Sequence, residues 1–358
     1  MGMRVSKVVL ALVLAGCGDT SDGGGGESGM ETEAAGSTSS SSTSGRDPGT
    51  SSGVVGSSSG ETPATSTGSG GEADASSSGG VPSGCSARPL EPGEYLGQEV
   101  VVDGVTRNYN LYVPEGYDGS SATPLVLNFH GFGSNALQQS FFSEFNVDAD
   151  ERGVIVAYPE GTENSWNGGV CCGVAAEDDV DDIAFVRALV EAIEDTACVD
   201  PARVYATGMS NGGFMSHRIA CEAADIITAV GPVAGALVLP VEECTPARPI
   251  PVIHFHGTED TLVPYEGNAA GYPGVEASLQ GWADRNGCEP VSTVTFEMDD
   301  VSCQTWDACD DEATVTLCTL EGFGHCWPGQ PFCTVGESSE TIRANTMMLD
   351  LFEQHALR

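Results

Sequence analysis

The sequence predicts an α/β fold: a mostly parallel central sheet with helices on both faces, preceded by an antiparallel hairpin. Three observations point there. Short apolar runs of strand length recur from Pro124 onward, and segments with helical spacing separate several of them. Asp103-Gly104 sits between two β-rich runs, Val100 to Val102 and Val105 to Val113, and that pair favours a tight antiparallel turn. Strands alternating with helices build a parallel sheet covered on both sides.

In order, the expected buried strands are Pro124 to Phe129, Val154 to Ala157, Arg203 to Thr207, Ile227 to Val233, Pro251 to Phe255 and Thr314 to Thr319. The expected helices are Ile183 to Ile193, with apolar residues three and four apart, Asn211 to Ala223 after a glycine turn, the mildly amphipathic Val275 to Arg285, and a capped terminal helix over Ile342 to His355. No repeat of 20 to 50 residues interrupts the stretch from Cys85 to Arg358, which reads as one domain.

The first quarter is different material. Arg4 and Lys7 precede the apolar run Val8 to Ala15, which is too short to span about 30 Å of hydrocarbon. Leu14-Ala15-Gly16-Cys17 closes that run and resembles the lipobox of bacterial lipoproteins. The resemblance implies a signal peptide over residues 1–16, a lipid on Cys17, and a protein outside the cytoplasm that touches the membrane only through that anchor. A secretory signal cut elsewhere is the alternative. Residues 17–84 then hold Ser, Gly, Thr and acids with almost no large apolar side chain, so nothing offsets the entropy of ordering them. As a random coil this tether reaches roughly 45 Å.

Charge narrows the partners. The 52 acidic residues against 13 Lys and Arg give a net charge of −39, with Lys7 the only lysine. Binding a phosphate backbone needs clustered cations, so nucleic acid is excluded as a partner. Of 13 cysteines, lipidation of Cys17 leaves an even twelve, which suits disulfides in an oxidising compartment. Cys326 and Cys333 are spaced to close a short loop, and Cys288, Cys303, Cys309 and Cys318 to make local links, although connectivity stays open. Cys171-Cys172 and Cys303 to Cys309 lack the Cys-x2-Cys spacing of structural zinc.

The chemistry centres on Gly208-Met209-Ser210-Asn211-Gly212, which falls between a strand and a helix. A serine on such a turn projects its hydroxyl upward, and small neighbours let adjacent chain pass close. A hydroxyl is a poor nucleophile without a base, and the base needs an orienting carboxylate. Asp260 follows the strand Pro251 to Phe255, and His325 follows Thr314 to Thr319. The order Ser210, Asp260, His325 is that of α/β-hydrolases, with Glu259 as the rival to Asp260. His130-Gly131-Phe132-Gly133 follows the strand Pro124 to Phe129. We expect the amides of Phe132 and Asn211 to donate to an oxyanion, with His130 a structural hydrogen-bonder.

His217 and His355 read as packed or solvated. His254 and His256 share one strand face without the further ligands that a hydrolase metal centre needs, so no metal or cofactor is expected. Trp166 and Trp327 are the aromatic candidates for gripping substrate, with core packing an equal alternative for each. Glu177-Asp178-Asp179-Val180-Asp181-Asp182 is read as the acidic start of a helix, with calcium binding as the second possibility.

Together His130-Gly131-Phe132-Gly133, Trp166-Asn167-Gly168-Gly169 with Cys171-Cys172-Gly173, Val180-Asp181-Asp182, Arg203 through Gly213, His256-Gly257 with Asp260, and Gly324-His325 with Trp327-Pro328-Gly329 resemble the polyhydroxybutyrate depolymerase and feruloyl esterase family. The resemblance spans nearly all of Cys85 to Arg358. It implies an extracellular serine esterase of α/β-hydrolase fold without a metal requirement, acting on feruloyl or acetyl esters of plant polysaccharide or on hydroxyalkanoate polyester. Phe132 stands where the family often has cysteine. Only a backbone amide is needed there, so the expected oxyanion donor survives while the pocket wall changes. A catalytically silent surface-binding protein on the same fold is the competing class.

Overall fold

The computed structural model describes Cys85 and residues 90–269 and 271–357. The expected signal peptide, Cys17 and the tether over residues 17–84 lie outside the described residues.

The expected hairpin forms from β1 (Gly93–Val102) and β2 (Val105–Val113), paired antiparallel with Val102 opposite Val105. Asp103 (φ 50°) and Gly104 (φ 82°) are both left-handed, as a two-residue turn matching strand twist requires. There follow β3 (Thr123–Phe129), β4 (Ile155–Pro159), β5 (Val199–Met209), β6 (Ala229–Val233), β7 (Val252–Gly257), β8 (Thr293–Met298), β9 (Val301–Trp306) and β10 (Val315–Leu320). They form one ten-stranded sheet in the order β1-β2-β4-β3-β5-β6-β7-β10-β9-β8. From β4 across to β10 the neighbours are parallel, and both edges are antiparallel.

Seven helices are described: α1 (Ala136–Ser143), α2 (Phe145–Arg152), α3 (Val174–Glu177), α4 (Asp182–Thr196), α5 (Asn211–Glu222), α6 (Val275–Arg285) and α7 (Ala344–Phe352). Alternation along each strand sorts them onto two faces. Leu125, Leu127, Phe129, Val204 and Ala206 pack with α4, α5 and α6, whereas Val126, Val156 and Tyr205 pack with α1, α2 and α7. This is why the central strands read as largely apolar runs. Each large apolar side chain buried this way contributes about 2 kcal/mol or more. The terminal helix is shorter than expected, and Arg343 at its start gives no side-chain cap.

Among the described residues, six disulfides join Cys85–Cys198, Cys171–Cys172, Cys221–Cys244, Cys288–Cys309, Cys303–Cys318 and Cys326–Cys333. The last closes the small hairpin of β11 (His325–Cys326) and β12 (Cys333–Val335), so a covalent link holds the segment that carries His325. No helix among the described residues is long and apolar enough to cross a membrane.

Candidate active site

Ser210 occupies the turn between β5 and α5 with φ 58° and ψ −121°. A non-glycine residue there costs about 1 to 3 kcal/mol and persists only where its surroundings impose it. They do. The Ser210 amide donates to the Val233 carbonyl at 2.9 Å, and the Ser210 carbonyl accepts from the Phe214 amide at 2.9 Å. The side chain makes no capping bond to α5, so its hydroxyl is not committed to the helix start. Gly208 and Gly212 are required by space: a Cβ on Gly208 would lie 2.6 Å from the carbonyl oxygens of Gly212 and Phe129, and one on Gly212 would overlap the Phe129 carbonyl.

That same crowding brings the loop after β3 over the serine. A Cβ built on Gly131 would stand 3.4 Å from Ser210 Cβ and 4.0 Å from its Oγ, which puts Phe132 in the segment beside the hydroxyl. His130 beneath it is buried and structural. Its Nε2 accepts from the Gly161 amide at 3.0 Å and its Nδ1 lies 2.8 Å from the Gly131 carbonyl, so the proton sits on Nδ1. Burial pushes its pKa down to about 4. Asn211 opens α5, whose first N–H groups and positive dipole end face outward from the helix start.

Asp260 and His325 meet although 65 residues separate them: His325 Nδ1 is 2.6 Å from Asp260 Oδ2. Asp260 Oδ1 accepts from the amides of Leu262 at 2.8 Å and Val263 at 2.9 Å, so both carboxylate oxygens are engaged. Burial alone would push this carboxyl up. Hydrogen bonds from His256 and His325 outweigh it and hold the group well below the usual carboxylate range. Asp260, and not Glu259, therefore partners the imidazole. Ser210, Asp260 and His325 follow the carboxyl ends of β5, β7 and β10, parallel strands in the consecutive run β5-β6-β7-β10. A crevice forms at that end of such a sheet.

The expectation that Trp166 and Trp327 grip substrate is corrected: both are 0% exposed. Trp166 Nε1 donates to the His130 carbonyl at 3.0 Å, and its ring stacks on Phe185. Trp327 Nε1 donates to Asn345 Oδ1 at 2.7 Å. Each indole has its polar handle satisfied inside the core, the packing alternative. Aromatic surface near the site comes instead from Phe132, 41% exposed.

The acidic run is absorbed by the protein itself. Asp181 Oδ1 caps α4 through the Ala184 amide at 2.8 Å, Asp179 accepts from Asn167, and buried Asp182 pairs with Arg107 at 2.9 Å and accepts from the Asn167 amide. This supports the helix-start reading. Among the described residues, no group of three or more His, Cys, Asp or Glu is placed to hold a metal ion.

Two features escaped the sequence reading. The Asn211 side chain accepts from the Trp166 amide and donates to its carbonyl, tying the loop after β4 under the start of α5. His217, His254 and His256 form a buried file behind Asp260. The His-x-His spacing on one strand signalled part of that file.

The chain is similar to known proteins. A family model described as esterase PHB depolymerase matches residues 107–278. Feruloyl esterase B of Piromyces equi is 36% identical over 229 residues, 59% of this chain and 41% of that protein, so the chain spans less than half of that relative's length. NocK of Nocardia uniformis subsp. tsuyamanensis, named as an esterase, is 34% identical over 272 residues, 68% of this chain and 77% of its own. Among solved structures, an acetyl xylan esterase from Aspergillus awamori superposes with a TM-score of 0.52 at 14% identity, covering 72% of this chain and 98% of that one, a likeness of fold. The architecture is that of an α/β-hydrolase.

Proposed function

Because this chain belongs to the PHB depolymerase and feruloyl esterase family, we propose that it hydrolyses carboxylic esters through an acyl-enzyme on Ser210. The observation that carries the reading is the 2.6 Å bond between His325 and Asp260, after parallel strands of the sheet whose β5 ends at Ser210, held at positive φ. His325 Nε2 takes the Ser210 proton as Oγ attacks the ester carbonyl, then returns it to the departing alcohol. Water then gives a proton to His325 as its oxygen attacks the acyl carbon, and His325 passes that proton to Ser210 Oγ as the bond to the acyl group breaks and the acid leaves. Asp260 fixes the imidazole with its proton on Nδ1 and stabilises the imidazolium. The amides of Phe132 and Asn211 receive the oxyanion, and loss of one such donor typically costs about 100- to 1000-fold in rate. No metal or cofactor takes part, so a chelator leaves the rate unchanged.

The substrate we propose is a feruloyl or acetyl ester of plant polysaccharide, in keeping with the names of relatives matched by the catalytic region. Ferulate release from arabinoxylan, set against clearing of a polyhydroxybutyrate suspension, decides between that substrate and the polyester. We further propose that the protein works outside the cytoplasm, supported by its six disulfides, and is held through a lipid on Cys17. Mass spectrometry of the mature N-terminus tests the anchor. For the mechanism, Ser210→Ala abolishes hydrolysis of p-nitrophenyl acetate while the fold is retained; undiminished turnover refutes it.

A further inference from the structure

Behind Asp260, three buried imidazoles lie in a row that the proposed chemistry leaves unused. His217 on α5 and His254 and His256 on β7 are each at most 1% exposed. Their ring centroids are 5.4 Å apart from His217 to His254 and 5.3 Å from His254 to His256. Each end of the row meets a group with a single hydrogen-bonding sense. Trp282 on α6 donates Nε1–H to His217 Nδ1 at 2.9 Å, and an indole only donates, so the His217 proton is on Nε2. At the other end His256 Nε2 lies 2.8 Å from the Val263 carbonyl, which only accepts, so His256 carries a proton on Nε2.

The middle contact, 3.0 Å between His254 Nε2 and His256 Nδ1, has one solution with a single proton per ring: His254 Nε2–H donates to the His256 Nδ1 lone pair. This leaves His217 Nε2–H and His254 Nδ1, neither with a protein partner, as a donor and an acceptor of opposite sense. Burial pushes His217 down to about 3 and His254 well below its ordinary value, in accord with rings that carry one proton.

The row ends on the loop that shapes Asp260. Val263 gives its amide to Asp260 Oδ1 and its carbonyl to His256, so the bond to His256 fastens this loop to the sheet. His256 Nε2 stands 3.4 Å from Asp260 Oδ2, the oxygen that His325 Nδ1 approaches to 2.6 Å. Tyr265 closes the remaining side, edge-on to His256, with its hydroxyl on Thr319.

We propose that His256 is a positioning residue: its Nε2–H, fixed in sense by the Val263 carbonyl and by the bond from His254 to its Nδ1, pins that carbonyl and thereby aims Asp260 Oδ2 at His325. The kinetic consequence rests on the esterase reading, whereas the proton arrangement does not. Release of this loop turns the carboxylate away from the imidazole, lowering turnover without touching ester binding.

Two measurements on the full chain test this. Nitrogen-15 NMR of histidine-labelled protein at about pH 8 is expected to show His217, His254 and His256 all protonated on Nε2 alone. A proton on Nδ1 of any of the three overturns the assignment. In kinetics with p-nitrophenyl acetate, His256→Gln keeps a donor near the Nε2 position and retains kcat within about threefold. His256→Asn, whose donor sits near the Nδ1 position, loses about 30-fold in kcat with KM within about twofold. Equal kcat in the two variants, or a loss carried by KM, overturns the positioning role. Should Ser210→Ala leave hydrolysis intact, the esterase reading fails, and the NMR result still decides the proton arrangement.

Discussion

Asn211 holds Trp166 by both of that residue's main-chain groups: its Oδ1 accepts from the Trp166 amide at 2.7 Å and its Nδ2 donates to the Trp166 carbonyl at 3.0 Å. All of this is buried, and Asn211 is also the residue whose amide we assign to the oxyanion. Asn211→Ala leaves a buried amide and a buried carbonyl unpaired, which costs about 2 to 5 kcal/mol. Urea unfolding checks the stability. The same variant lowers kcat, because the loop after β4 is no longer tied to the turn that carries Ser210.

The burial of Trp166 and Trp327 makes a second prediction. Trp327→Phe keeps the ring but strands Asn345 Oδ1, and costs about 1 to 3 kcal/mol in unfolding free energy. KM for short esters stays unchanged. A raised KM at unchanged stability would restore Trp327 as a substrate contact.

Acid sensitivity follows from the buried histidines. In the folded protein His130 is held down to about 4 and His217 to about 3, both by burial, against an ordinary value of 6.5. The unfolded chain therefore takes up more protons below pH 6.5, and stability falls as pH drops towards these folded values. Between pH 6.5 and pH 5 each ring costs about 2 kcal/mol. Denaturation midpoints in urea should fall steadily across that window and level off above it. A midpoint independent of pH would contradict the assignment of neutral buried rings.

Close packing at the nucleophile turn gives a fourth test. Gly212→Ala drives a methyl group into the Phe129 carbonyl, backbone against backbone, where no side chain can yield. We expect a loss of about 1 to 3 kcal/mol in stability. Activity should fall further than stability does, because α5 can relieve the overlap only by carrying Ser210 away from the loop after β3.

Much of this architecture could be read from the chain. The central strands were legible because burial on both faces leaves apolar runs such as Leu125 to Leu127, and β5, β6, β7 and β10 fell close to expectation. The outer strands β8 and β9 were not. Thr293–Met298 is largely exposed, and its turn uses Asp299 at φ 49° where a glycine would have signalled the reversal. Helices α1 and α2 were also missed, since the break between them is Glu144 at φ 45°, again without glycine.

At the candidate site, Ser210, Asp260 and His325 could be singled out because acyl transfer by a serine would demand a fixed set of residue types in order. The histidine row was not, since it depends on α5, α6 and β7 meeting, which no local pattern encodes. Nor could spacing reveal that both tryptophans turn inward.

Covalent capture of the nucleophile tests the central claim most directly. A fluorophosphonate reacts with a serine only when a neighbouring base removes its proton. The account predicts a single adduct on the peptide carrying Ser210, lost in Ser210→Ala and strongly slowed in His325→Ala. Absence of any adduct on the folded protein, or an adduct on another residue, would contradict it and point to a binding protein that keeps the fold without the reaction.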